Sequence, residues 1–125
     1  MMNDKIFGEV SFDAGWNKDE NISLWGKTNG ILVTAVAYYE SEAITEAQQS
    51  SYRSYNLNKS IMEKKIEQLL SNYMDEPEKH LTPRFLVFEK DGAYALMLDD
   101  DNDPDNGVAV QLAPVAKVTS QDAYL

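Results

Sequence analysis

Cysteine is absent from the 125 residues, which excludes disulfides, a thiolate nucleophile and any cysteine-ligated metal. Histidine occurs once, at His80, and no Gly-x-Ser-x-Gly elbow stands ready to use it as a base. Its setting after Glu78 and Lys79 reads as an exposed loop position. Gly-x-Gly-x-x-Gly and Walker loops are also missing, so nucleotide binding has no signal. Positive charge is short: 11 Lys and Arg face 21 Asp and Glu, a formal net charge of -10. A surface of that sign repels phosphate backbones and anionic lipid, so neither nucleic acid nor a membrane is an expected partner. Apolar runs are brief. The longest, Ile31 to Tyr39, is interrupted by Thr34 and is far too short to span a bilayer. The start Met1-Met2-Asn3-Asp4-Lys5 lacks the pattern of a secretory leader, and the expected location is the cytoplasm.

What is present is a hydrophobic fraction of 43% with 10% aromatic residues, ordinary for a globular chain and too high for a disordered one. The length suits a single domain over residues 1–125. The negative charge is unevenly spread. Residues 1–49 carry three basic and eight acidic side chains, residues 50–90 seven and six, and residues 91–125 one and seven. Within the last segment, Asp99, Asp100, Asp101, Asp103 and Asp105 place five carboxylates in seven residues. Carboxylates that close repel one another and need solvent, a cation or a basic partner.

Periodicity predicts strands at both ends of the chain and helix between them. Residues 6–12 read as a strand that alternates from Glu9 onward, and Asp13-Ala14-Gly15 signals a turn. Asn17 to Asn21 reads as a polar loop, and Ile22 to Gly26 as a strand. Asn29-Gly30 gives a hairpin cue, because both residues tolerate positive φ. Ile31 to Tyr39 then closes a three-stranded meander. Thr45-Glu46-Ala47-Gln48 fits a capping box. From there Tyr52, Tyr55, Lys59, Met62, Ile66, Leu69 and Tyr73 step by three and four along one helical stripe. A second capping-box match at Ser60 to Glu63, with Asn56 and Asn58 lowering propensity, predicts two helices or a kink at 56–60. Pro77 bounds the region. Strands return at 82–88, 94–98 and 108–112, with Asp91-Gly92 as a hairpin turn and a short further strand at 115–119. The expected fold is therefore α+β: an antiparallel sheet of about six strands, three before and three after, covered by one long or two consecutive helices.

The aspartate run has the alternation of a calcium loop but not its other positions. Counted from Asp101, position six is Asn106 and position twelve Leu112; counted from Asp99 they are Pro104 and Val110. A dedicated site needs Gly and Glu there, so no metal and no cofactor is expected. Aromatic residues invite an interface reading. Trp25 and Tyr39 read as core, whereas Trp16, between Gly15 and Asn17, reads as an exposed anchor. Arg84, alone in an apolar strand, is expected to pair with an acidic neighbour across the sheet. The closing Tyr124 and Leu125 are expected to dock on the body of the domain.

Taken together, Glu42-Ala43-Ile44-Thr45-Glu46-Ala47-Gln48, then Pro83 to Phe88 running into Asp91-Gly92 and Tyr94-Ala95-Leu96, then the Asp-rich residues before Gly107-Val108-Ala109-Val110, and last Gln121 to Leu125, make a pattern. It resembles a family of small acidic bacterial domains of unknown function, with immunity-protein-like members found beside toxin genes. The resemblance implies a sheet with helical cover and carries over no catalytic residue. The expected function is that of a binding protein rather than an enzyme: an immunity protein that contacts a basic, nuclease-type toxin domain. Asp99, Asp100, Asp101, Asp103, Asp105 and Trp16 are its candidate contacts. The alternatives are a carboxylate- or divalent-metal-dependent enzyme and an accessory domain without catalysis; a homo-oligomer stays open.

Overall fold

In the computed structural model, which describes residues 1–124, the chain forms one eight-stranded sheet in sequential order. Its strands are β1 (Met2–Asp4), β2 (Gly8–Phe12), β3 (Trp16–Leu24), β4 (Lys27–Ala35), β5 (Leu81–Phe88), β6 (Tyr94–Asp100), β7 (Val108–Ala113) and β8 (Lys117–Ser120). The helices are α1 (Glu46–Leu57), α2 (Lys59–Tyr73), and two single turns, α3 (Pro77–His80) and α4 (Gln121–Tyr124). Every neighbouring pair is antiparallel except β4 and β5, which run parallel with Leu32 beside Phe85 and Ala35 beside Phe88. The sheet thus has eight strands, not six, and is mixed, not antiparallel. The helices are short, and the two longer ones lie in the crossover that a parallel pair requires.

The first correction comes from β3. Asn17 to Asn21 is strand and not loop, paired residue by residue with Thr34 to Gly30. Two of the charged residues that disguise it, Lys18 and Glu20, are satisfied on the helix side. Lys18 Nζ donates to Phe7 O at 2.7 Å and to Tyr52 Oη at 3.2 Å, and Tyr52 Oη donates to the Glu20 carboxylate. The turn that follows is Trp25-Gly26, not Asn29-Gly30. Leu24 pairs with Lys27, and Trp25 and Gly26 take φ of 53° and 74°, the two positive values that a tight hairpin wants. Glu67 Oε2 accepts from Trp25 N at 2.7 Å, which offsets some of the cost of a left-handed tryptophan.

The capping box forms as written: Gln48 N donates to Thr45 Oγ1 at 3.1 Å and Thr45 N to Gln48 Oε1 at 2.9 Å. Asn58 separates α1 from α2, but it caps α2 without a side-chain hydrogen bond, so Ser60 starts nothing. One sheet face packs on the helices. Phe7, Ile22, Val33, Leu86, Phe88, Leu96 and Val110 meet Tyr52, Tyr55, Ile66 and Leu70 in a core whose members are almost all less than 7% exposed. Ring contacts knit its centre, with Phe7 stacked on Tyr52 at 4.1 Å and Phe88 on Tyr94 at 4.8 Å. No helix among the described residues is long and apolar enough to cross a membrane.

Candidate functional site

The aspartates divide between a strand and a loop. Asp99 and Asp100 complete β6, opposite Thr82 and Leu81, while Asp101 to Gly107 form the connection to β7. Inside that connection the backbone is folded back on itself. Asp103 N donates to Asp100 O at 3.0 Å, Asn106 N to Asp103 O at 3.1 Å, and Asn102 N to Asp100 Oδ1 at 3.0 Å. Its base is fixed by Gly107 and Gln121. Gly107 has φ of 100°, and a Cβ there would lie 2.5 Å from Leu98 O and 2.3 Å from Gln121 Nε2. Only glycine fits that corner. Gln121 Nε2 in turn donates to Leu98 O at 2.9 Å, and Gln121 N to Gly107 O at 3.0 Å.

Although residues 91–125 hold only Lys117 as a base, the fold brings two partners to the run. Arg84 Nε donates to Asp99 Oδ2 at 2.7 Å, the cross-sheet pair expected of that arginine. It can do so because a bulge between Pro83 and Phe85 turns Arg84 to solvent beside Phe85. His80 Nδ1 lies 2.9 Å from Asp101 Oδ1, and Asp101 N donates to His80 O at 3.0 Å. His80 is therefore half-buried against the run, not an isolated loop residue. Asp100, Asp103 and Asp105 form no ion pair among the described residues, and the last two are exposed. No three carboxylate or histidine side chains among the described residues gather as a group able to hold a metal ion.

Trp16 does not join them. It is only 3% exposed, its Nε1 donates to Glu42 O at 2.7 Å, and it meets Phe12 edge-on at 5.2 Å. It is a core residue, not an exposed anchor. It also lies in the row Trp16, Ala35, Phe88, Tyr94 at one end of the sheet, whereas the aspartates leave from the other end. Tyr39 is the reverse case. Strand β4 stops at Ala35, so Tyr38 and Tyr39 project from the following loop at 72% and 69% exposure. Glu42 Oε1 accepts from both their backbone N–H groups, and Lys90 sits 4.2 Å from the Tyr38 ring centroid.

The sheet face turned away from the helices shows residues that sequence reasoning missed. Reading across paired strands, Asp19, Leu32, Phe85, Met97, Ala109 and Thr119 share one row. Tyr124 of α4, half-buried, covers the part formed by Val87, Ala95, Met97 and Ala109. Burial, followed by the nearby charges of Glu89 and Asp91, raises its hydroxyl pKa. Leu125 lies outside the described residues. Among the described residues nothing covers the part around Leu32 and Phe85 in this way, and Phe85 is 45% exposed. Its signal in the sequence was the alternation of β5, masked by the bulge at Arg84. Comparison of the chain with protein-family models, with curated proteins and with solved structures gave no match.

Proposed function

We propose that this chain is a binding protein, an immunity-type inhibitor that neutralises a basic bacterial toxin domain by direct contact in the cytoplasm. The observation that carries the reading is the imbalance at the aspartate run: of five carboxylates, Asp99 pairs with Arg84, Asp101 hydrogen-bonds to His80, and three are left without either kind of partner among the described residues. The backbone hydrogen bonds of residues 100–107 fold the turn that carries those charges before a partner arrives. A preformed patch of one sign speeds encounter with the opposite sign and spares the cost of ordering a loop on binding. The net charge of -10 extends the same field over the whole molecule. A nuclease-type toxin must itself be basic to hold a phosphate backbone, so carboxylates set on a rigid turn suit its binding groove.

The test is protection. Bacteria expressing the toxin domain encoded beside this chain should resume growth when the chain is co-expressed, and the two proteins should copurify. The Asp100→Asn, Asp103→Asn, Asp105→Asn triple variant should protect less well at equal expression. Full toxicity in the presence of folded wild-type chain would refute the proposal.

A further inference from the structure

The uncovered half of the open sheet face holds a cleft of about 490 Å³ bounded by Asp19, Asn21, Gly30, Leu32, Arg84 and Phe85. Gly30 forms part of its wall, and nothing in the fold demands glycine there. It sits inside β4 opposite Asn21, its φ is not among the positive ones, and an added Cβ would meet only Asn21 Oδ1, at 3.9 Å. Glycine inside a strand lowers stability and often marks the place where another group approaches the backbone. On one side Phe85 offers an apolar ring that is 45% exposed. On the other, Asp19 shares the adjoining depression with Glu9, and neither carboxylate forms an ion pair among the described residues. Arg84 brings no free positive charge, because Asp99 engages it. The chain's own α4 covers the neighbouring half of this face, so a partner segment lying beside α4 would complete the cover.

We propose that this cleft seats an arginine or lysine side chain of the partner protein, its alkyl stem lying over Gly30 against Phe85 and Leu32 and its charged head reaching Asp19 and Glu9. Long basic side chains bury their stems on apolar surface while keeping the charge solvated or paired, and arginine also stacks on aromatic rings. The inference rests on the reading that the partner is basic. It adds a second contact beside the aspartate run, joined to it through the Arg84–Asp99 pair, one that supplies shape selection where the run supplies steering.

The experiment is an NMR titration of the isotopically labelled chain with an alternating arginine–glycine peptide, and with a glutamine–glycine peptide as control. The arginine peptide should shift the amides of Asn21, Gly30, Leu32 and Phe85 saturably, and the glutamine peptide should not. Gly30→Val, which fits an ordinary strand backbone, and Phe85→Ser should each weaken that response by about tenfold, the scale of a central contact. Gly30→Val should hold the thermal midpoint at or above wild type, because glycine inside a strand lowers stability, and Phe85→Ser should leave it close to wild type. Asp103→Asn with Asp105→Asn should leave the cleft shifts unchanged. Shifts confined to residues 99–107 and indifferent to Gly30→Val would overturn the cleft while leaving the proposed function standing. A concentration-dependent dimer of the free chain that Phe85→Ser dissolves would overturn it too, by making a second copy the occupant. Absence of shifts in both regions would overturn the cleft, and growth protection would then decide the proposed function separately.

Discussion

Arg84 Nε holds Asp99 Oδ2 at 2.7 Å across β5 and β6, with both side chains more than half exposed. An exposed pair of this kind contributes less than about 1 kcal/mol to folding. Its effect on charge is larger than its effect on stability. Arg84→Gln should therefore leave the thermal midpoint nearly unchanged, while taking the net charge from -10 to -11 and quickening association with a basic partner at low salt. Slower association would mean that Arg84 itself contacts the partner.

Gln48 is the one fully buried polar side chain among the described residues, and it joins both ends of the crossover. Besides closing the capping box, its Nε2 donates to Val36 O and to Phe88 O, each at 3.0 Å, where β4 and β5 leave the sheet side by side. Gln48→Leu would strand Val36 O and the Thr45 N–H together. Urea unfolding should show a loss of about 2–4 kcal/mol, with an unchanged slope if the native state stays compact.

Tyr55 presents the opposite case. Its hydroxyl is buried without a hydrogen-bond partner among the described residues, and that burial, with the charges of Glu63 and Glu20 behind it, pushes its pKa up. Removing an unsatisfied buried hydroxyl relieves its desolvation cost. Tyr55→Phe should be as stable as wild type or more stable by up to about 1 kcal/mol, as read from the midpoint of thermal unfolding.

Glu42 and Glu89 should give pH profiles of opposite sign. Hydrogen bonds from Lys90, and then from the Tyr38 and Tyr39 backbone, hold the Glu42 carboxyl below its ordinary pKa. Its contribution is present above the unfolded value of about 4.3 and is lost as pH falls through the folded value. Burial, and then Asp91, push the half-buried Glu89 above its ordinary value. Its contribution is present below about pH 4.3 and is lost as pH rises through the folded value. Thermal midpoints across a pH series should then show Glu89→Gln above wild type near neutrality, converging with it in acid. Glu42→Gln should lie below wild type near neutrality, the gap closing in acid.

The elements legible in the sequence were those whose cause is local. Thr45 and Gln48 stand three apart and cap one another, and Asn58 interrupts the helical stripe where side-chain competition with the backbone is strongest. Arg84 had one sensible fate, a carboxylate across the sheet, and Asp99 meets it. What failed depended on contacts distant in sequence. Lys18 and Glu20 hid β3 because their partner, Tyr52, lies more than thirty positions away. Asn29-Gly30 carried a turn cue, yet pairing with Asn21 and Ile22 drew both residues into β4. The parallel alignment of β4 with β5 follows from the crossover, not from any residue in either strand. Trp16 was misplaced for the same reason, since Glu42 O, which accepts its indole proton, sits twenty-six residues on. At the candidate site, composition revealed the five aspartates, but only the fold revealed which of them are already engaged.

The central claim is that uncompensated carboxylates at the end of β6 and on the turn after it draw in a basic partner. Its most direct test is the association rate of the chain with the proposed partner, the toxin domain encoded beside it, followed over a series of salt concentrations for wild type and for the Asp100→Asn, Asp103→Asn, Asp105→Asn variant. The account predicts a wild-type rate that falls steeply as salt rises, and a variant rate that is slower at low salt, flatter in slope, and convergent with wild type at high salt. Equal rates and equal slopes for the two proteins would contradict it.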